Sequence, residues 1–150
     1  MSVRSLCCLQ GFMITVLLVD DDPVMRQLLR DILDRYLDLS VVGEAENGED
    51  AVALTMTLTP TVVIMDFNLP TMSGIEATTL IKLNSPSTVI IGLTASAPSD
   101  TEYAMVDAGA AVVLNKGEMV RVLHPIIVQA VPTVNSTALA SPLVSLTTGS

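Results

Sequence analysis

Polar residues that can carry out chemistry stand at the ends of the apolar runs of this sequence. They follow the first, third, fourth and fifth runs, and they are Asp20 and Asp21, Asp66, Thr94 and Lys116. If the runs are parallel strands of one α/β sheet, their carboxyl ends share an edge, and ligands bind outside that edge. We therefore expect these side chains to meet in a single crevice.

The expected crevice would hold three carboxylates, which repel one another unless protons or a cation offset their charge. An all-oxygen site favours Mg²⁺, which takes a few protein oxygens and keeps several waters. A carboxylate can also act as a nucleophile and become an aspartyl phosphate. Lys116 would then pair with a phosphoryl oxygen, and Thr94 would donate its hydroxyl. These residue types indicate Mg²⁺-dependent transfer of a phosphoryl group to an aspartate.

Five apolar runs alternate with five helical patterns, which predicts an α/β fold with a parallel sheet. The predicted strands are residues 14–19, 41–43, 61–65, 88–93 and 111–114. Asp22 is the predicted N-cap of the first helix, with Pro23 at its first position. Later helices are predicted to begin within residues 47–50 and at capping boxes in residues 73–76 and 99–102. Gly109 is a predicted helix C-cap.

The last helix is predicted to begin near Gly117 or Glu118. Pro125 falls inside it, where proline removes a backbone donor and clashes with the preceding turn. We therefore expect this helix to be kinked or broken near His124. His124 itself, the only histidine of the sequence, is expected at the surface or its boundary.

The composition is that of one globular domain, since half of the 150 residues are apolar and 15% are charged. We expect an N-terminal extension at residues 1–12, the folded domain at 13–131 and a weakly ordered, uncharged tail at 132–150. The net charge of −9, without any basic run, argues against direct binding of nucleic acid.

The apolar stretch from Leu6 to Val19 is too short to span a bilayer, and no cleavage site typical of a signal peptide follows it. The only cysteines, Cys7 and Cys8, are adjacent, and neighbouring cysteines rarely pair with each other. We therefore expect a protein of the cytoplasm, a reducing compartment, with no membrane contact.

Four segments resemble the motifs of bacterial response-regulator receiver domains. They are Leu-Val-Asp-Asp-Asp-Pro at 18–23, Met-Asp-Phe-Asn-Leu-Pro-Thr-Met-Ser-Gly at 65–74, Gly-Leu-Thr-Ala at 92–95 and Leu-Asn-Lys at 114–116. The order and spacing of the set make it specific, and the resemblance covers roughly residues 13–131. It implies a doubly wound, flavodoxin-like (βα)5 fold with a five-stranded parallel sheet.

The resemblance also implies a role for each residue of the predicted crevice. Asp66 would be the phosphoacceptor, Thr94 the switch hydroxyl and Lys116 the phosphate-pairing lysine. The Mg²⁺ ligands would be Asp20, Asp21, Asp66 and the backbone carbonyl of Asn68. The donor would be a histidine kinase or a phosphotransfer protein of a two-component or phosphorelay pathway.

We expect a single-domain signalling protein that is not an enzyme. No output domain follows the receiver motifs in this sequence. The signal would therefore pass through contacts with an unidentified downstream protein, or the domain would remove phosphoryl groups from another branch of the pathway. Two positions depart from the family: Val113 replaces an aromatic residue, and Gly117 replaces a proline. They leave open an alternative, a binding module of receiver fold with little phosphorylation-driven switching.

A second alternative is a phosphatase of the haloacid dehalogenase type, whose nucleophile would be Asp20. The sequence Asp-Asp-Asp-Pro-Val at 20–24 fits the first motif of that class. Such enzymes need a further acidic pair after the lysine, and Glu118 is the only acid beyond Lys116. We therefore reject this interpretation.

Overall fold

The computed structural model describes residues 13–95 and 100–132. Within them, strands and helices alternate along the chain. The strands are β1 (Ile14–Val19), β2 (Leu39–Ala45), β3 (Val62–Asp66), β4 (Val89–Thr94) and β5 (Val112–Asn115). The helices are α1 (Pro23–Leu33), α2 (Gly48–Leu58), α3 (Gly74–Asn84), α4 (Asp100–Ala108) and α5 (Met119–Ala130). The predicted extension, nearly all of the predicted tail and Ser99 of one predicted capping box lie outside the described residues.

All paired strands are parallel, and the sheet has the order β2-β1-β3-β4-β5. The chain winds outward from β1 in one direction to β2 and in the other to β3, β4 and β5. The strand order therefore reverses between β1 and β3, which opens a crevice at their carboxyl ends. The predicted fold, a doubly wound five-stranded parallel sheet of flavodoxin-like type, is confirmed.

The core consists of two apolar layers, one on each face of the sheet. Because side chains alternate along a strand, Leu18 of β1 faces α1 and α5, whereas Leu17 faces α2, α3 and α4. Leu29 and Leu123 close the first layer, and both are fully buried. Each such side chain contributes about 1.5–3 kcal/mol to folding. The two layers hold β1 and β3 rigidly in the centre of the sheet.

Strand β1 agrees with the sequence-based prediction, but β2 is longer than predicted. The prediction covered residues 41–43, and the strand runs from Leu39 to Ala45. Ser40 and Glu44 interrupt its apolar pattern, because β2 is an outer strand and only part of it is buried. Its register against β1 also shifts, so that Val42 is an extra residue between the partners of Val16 and Leu17.

The predicted caps are present at the described helix ends. Asp22 accepts the Val24 N–H at 2.9 Å as N-cap of α1, and Ser73 forms a complete capping box with Glu76 at α3. Gly109 follows α4 with φ of 124°, and its N–H donates to the carbonyl of Val106. This left-handed conformation favours glycine and ends the helix.

We expected α5 to be kinked or broken near His124, and it is not broken, because the helix is continuous from Met119 to Ala130. Pro125 lies on the exposed side of the helix, where the carbonyl that loses its partner can bind water. Leu123 and Ile127, on either side of Pro125, are buried in the core. His124 is half-buried, and its ring stacks on Tyr36. Packing therefore outweighs the cost of the proline.

Among the residues that the structure describes, no helix combines the length and the apolar character that a membrane crossing requires.

Candidate functional site

The crevice between β1 and β3 contains an ammonium group bound to two carboxylates. Asp20 directly follows β1, Asp66 ends β3, and Lys116 directly follows β5. Nζ of Lys116 lies 2.9 Å from Oδ2 of Asp20 and 3.0 Å from Oδ1 of Asp66. Both aspartates are buried. Three residues that are far apart in sequence thus meet where the sequence analysis predicts.

A third carboxylate, that of Asp21, completes an acidic cluster. Asp20, Asp21 and Asp66 can each offer one oxygen, and these oxygens lie within 4.8 Å of one another. Oδ2 of Asp20 is buried, and Nζ of Lys116 lies 2.9 Å from it as an ion-pair partner. Asp21 is exposed, so the cluster is open to solvent. An all-oxygen set of this kind fits a hard divalent cation.

The electrostatics of the crevice shift two pKa values. Burial raises the pKa of Asp66 above its ordinary value, and the charge of Asp20 adds to this, whereas hydrogen bonds from Lys116 and from the Asn68 backbone N–H lower it. Burial lowers the pKa of Lys116, but its hydrogen bonds to Asp20 and Asp66 outweigh burial and raise that pKa overall. The pKa of Asp66 stays raised because burial, together with the charge of Asp20, outweighs the opposing effect of Lys116.

Asp20 is fixed through its backbone and its side chain. Its N–H donates to the carbonyl of Ala45 at 3.1 Å, which extends the pairing of β1 with β2 beyond Val19. Its Oδ1 accepts the N–H of Asp22 at 2.9 Å. Its backbone carbonyl accepts a hydrogen bond from Nη1 of Arg26 in α1 at 2.6 Å. The acidic pair is therefore attached both to β2 and to α1.

Asp66 is positioned by the close approach of α3 to the end of β3. The Gly74 N–H donates to the carbonyl of Phe67 at 3.0 Å. A Cβ atom at Gly74 would overlap the backbone carbonyl oxygen of Asp66, so only glycine fits there. Asn68 lies in the intervening loop, and the interaction of its backbone N–H with the Asp66 carboxylate lowers the pKa of that carboxyl.

Thr94 is the last residue of β4 and is buried. In the sheet, Asp66 pairs with Leu93, so Thr94 lies one residue beyond Asp66 on the adjacent strand. Its backbone carbonyl accepts the N–H of Lys116 at 2.8 Å. Thr94 therefore lies beside the crevice, and its backbone carbonyl also helps to position Lys116.

Sequence reasoning missed the ion-pair cluster behind the acidic pair. Arg26 and Arg30 of α1 both contact Glu44 of β2. Hydrogen bonding to Arg30 lowers the pKa of Glu44, burial opposes this, and a further hydrogen bond to Arg26 reinforces it. The available signal was the spacing of four residues between the arginines, which places them on one side of the helix.

Fold and crevice together define a receiver-type α/β protein with an aspartate and a lysine at the carboxyl edge of its sheet. The family model for the response regulator receiver domain matches residues 16–127. The chain belongs to the response regulator receiver family, whose members act in two-component signalling.

Curated relatives and solved structures agree with this membership. Response regulator UvrY of Escherichia coli is 42% identical over 105 residues, which is 70% of this chain and 48% of that protein. Protein-glutamate methylesterase/protein-glutamine glutaminase 2 of Methanospirillum hungatei is 39% identical over 106 residues, 69% of this chain and 30% of that protein. The crystal structure of the response regulator domain of Thermotoga maritima CheB has a TM-score of 0.74 at 32% identity, covering 79% of this chain and 96% of that one.

The sequence-based prediction of a protein that is not an enzyme was wrong. The methylesterase relatives that overturn it are named as enzymes, and the chain spans only 30% of the length of the Methanospirillum hungatei protein. That prediction considered only residues of the receiver motifs. The receiver motifs match only one part of these longer relatives. They carry no information about catalysis in the remaining part.

Proposed function

We propose that Asp66 accepts a phosphoryl group and that the crevice residues support the transfer. The observation that carries this proposal is the contact of Lys116 with the carboxylates of both Asp20 and Asp66. In the transfer, a carboxylate oxygen of Asp66 forms a bond to phosphorus while the bond from phosphorus to the donor's histidine nitrogen breaks. The electron pair of the broken bond remains on the imidazole.

The chain's own groups prepare this step in distinct ways. Lys116 is held between two carboxylates, so its ammonium is in place to pair with an oxygen of the incoming group. Thr94, beside the crevice on β4, would donate its hydroxyl to another phosphoryl oxygen. The raised pKa of Asp66 reflects an environment that penalises its negative charge. This environment favours the binding of a cation nearby, and it favours the formation of a bond from the carboxylate to an incoming electrophile.

We further propose Mg²⁺ as the cation of the acidic cluster. Asp21, Asp66 and the backbone carbonyl of Asn68 would hold it, with Asp20 beside them. When bound, Mg²⁺ would neutralise negative charge on the transferring oxygens. The spacing of the three carboxylates and the buried Oδ2 of Asp20 support this assignment.

The phosphoryl donor would be a histidine kinase or a phosphotransfer protein in the cytoplasm, since receiver domains interact with proteins of these two kinds. The target of the signal would be another protein rather than nucleic acid, because the net charge of −9 disfavours contact with phosphates.

The test is labelling with radioactive acetyl phosphate in the presence of Mg²⁺. Wild type should acquire an acid-stable, base-labile label, and Asp66→Asn should acquire none. Asp107→Asn, which changes an exposed aspartate of α4, should label like wild type. Label that persists in Asp66→Asn but disappears in Asp20→Asn would contradict the proposal and favour the phosphatase mechanism.

We propose residues 13–131 as the unit that carries this function. Val131 is buried against the core and donates its N–H to Ile127, so the unit must include it. Truncation after Val131 should leave the labelling rate and the Tm nearly unchanged. A large fall in either would show that residues 132–150 belong to the folded unit.

A further inference from the structure

The peptide that joins the two acidic residues of the crevice is held from outside the crevice. Its carbonyl oxygen belongs to Asp20 and accepts the 2.6 Å hydrogen bond from Nη1 of Arg26. Strand β1 ends at Val19, so this carbonyl lies in the turn that leads to α1. A peptide unit is planar, and fixing its carbonyl therefore fixes the direction in which the chain enters Asp21.

Arg26 can make this contact because of its place in α1. It is the fourth residue of the helix, and helical side chains lean toward the amino-terminal end. Its guanidinium therefore lies over the Asp20–Asp22 turn. The side chain is only 12% exposed, so the hydrogen bond is largely shielded from competing water.

Glu44 of β2 holds the guanidinium in place. Nε of Arg26 donates to Oε1 of Glu44 at 2.8 Å, while Nη1 donates to the Asp20 carbonyl. Arg30 occupies the other carboxylate oxygen, Oε2, through Nε at 2.8 Å and Nη2 at 2.6 Å. The guanidinium of Arg26 is thus fixed at two of its donors, and Glu44 is fixed at both of its acceptors.

We propose that Arg26 is a positioning residue for the divalent-cation site: by holding the Asp20 carbonyl, it orients Asp21 toward Asp66. This inference rests on the proposed function. Among the described residues, the Arg26 side chain forms its hydrogen bonds with Glu44 and with the Asp20 carbonyl, so it acts on the cluster through the peptide that it holds. Groups that orient the ligands of a metal commonly influence affinity as much as ten- to a hundredfold.

Arg30 provides a matched control. Both arginines lie in α1, carry the same charge and bind Glu44, but only Arg26 reaches the Asp20 carbonyl. Arg26→Met and Arg30→Met each remove one cation and keep an apolar stem of similar length. In either variant Glu44 retains the other arginine.

The two possible effects of Arg26→Met on the cation have opposite signs. Loss of a positive charge near an acidic cluster strengthens the attraction for a cation. Loss of the positioning hydrogen bond weakens it, because the ligands must be ordered during binding. The direction of the change therefore separates positioning from simple electrostatics.

The experiment is a titration of each protein with Mg²⁺. Binding is measured by isothermal calorimetry and by the amide NMR shifts of Asp21 and Asp66. We expect Kd to rise about tenfold in Arg26→Met and to stay within about twofold of wild type in Arg30→Met. Arg26→Lys, which keeps the charge but lacks the planar fork, should also bind Mg²⁺ more weakly than wild type. Circular dichroism should show each variant folded at the titration temperature.

Equal or tighter binding in both Arg26 variants, with wild type still binding Mg²⁺, would overturn the positioning role alone. Equal weakening in Arg26→Met and Arg30→Met would also overturn it, because the effect would then come from Glu44. Absence of Mg²⁺ binding by wild type would overturn the proposed function, and this inference with it.

Discussion

The imidazole of His124 stacks on the ring of Tyr36, with ring centroids 3.7 Å apart and planes that differ by 4°. Nε2 of His124 also lies 3.2 Å from Oδ1 of Asp38. Tyr36 and Asp38 belong to the segment between α1 and β2, and the carbonyl of Asp38 accepts the N–H of Ile14 at the start of β1. These contacts attach α5 to the amino-terminal edge of the sheet, opposite the crevice.

Tyr36→Leu should destabilise the domain without reducing phosphorylation. The change keeps apolar volume but removes the stacked ring, which should lower the free energy of unfolding by about 0.5–1.5 kcal/mol. Urea unfolding measures this, with Tyr36→Phe as the control that retains the stack. If the Leu and Phe variants are equally stable, the stack contributes nothing.

Asp66→Asn should make the protein more stable at neutral pH in the absence of divalent cations. Burial and Asp20 raise the pKa of Asp66 in the folded state above 3.8, its ordinary value. A carboxyl with a raised folded pKa contributes stability below its unfolded pKa, and this contribution is lost as the pH rises through the folded pKa. The variant avoids that loss.

The Tm difference between Asp66→Asn and wild type should therefore be largest at neutral pH and disappear below about pH 3, where the carboxyl is protonated in both states. Asp107→Asn, at an exposed position, should show no such trend. A Tm difference for Asp66→Asn that is independent of pH would contradict the electrostatic explanation.

Gly74→Ala should impair both folding and phosphorylation. The added methyl group would overlap the backbone of Asp66, which is rigid, so α3 would have to shift at a cost of about 1–3 kcal/mol. Labelling by acetyl phosphate should slow in parallel. Gly43→Ala is the control, because its Cβ meets the side-chain ends of Leu58 and Leu17, which can rotate. Equal effects of the two changes would be inconsistent with this explanation.

Pro125→Ala should stabilise α5. Alanine restores the backbone donor in a helix that already continues through this exposed position, and it should add about 1–3 kcal/mol to the free energy of unfolding. Pro23→Ala, at the first position of α1, restores no hydrogen bond within that helix and should give no comparable gain. Thermal unfolding of both variants tests the difference.

Val113 predicts a muted response at the face formed by α4, β5 and α5. It is partly buried in β5, and it offers no aromatic ring that could turn inward if Thr94 engaged a phosphoryl group, as proposed above. Amide NMR shifts on addition of beryllofluoride should therefore be smaller over residues 100–128 than around Asp66. Shifts of equal size in both regions would refute the prediction, and Val113→Tyr should enlarge those over residues 100–128.

Much of the fold and the crevice could be predicted from sequence because each rests on local signals. Asp20, Asp66 and Lys116 stand at the carboxyl ends of apolar strands, and parallel strands bring such positions together without further information. A kink or break was predicted near His124, and the helix is not broken there, because helix propensity does not include the burial of Leu123 and Ile127 or the stack of His124 on Tyr36.

The contacts of Arg26 with Glu44 and with the Asp20 carbonyl could not be predicted either. They depend on which side of α1 faces β2 and on where a long side chain ends, and neither follows from residue spacing alone. Charged residues on an amphipathic helix usually indicate its solvent side. Here the polar side of α1 turns in part toward an acid on the neighbouring strand.

We expect the extra residue Val42 to limit association between molecules at high concentration. It interrupts the pairing of β2 with β1, and β2 is an outer strand of the sheet. A bulge bends and twists a strand, and twisted outer strands are poor templates for pairing with another chain. Deletion of Val42 would straighten this edge, and the expected consequence is strand-by-strand aggregation between molecules.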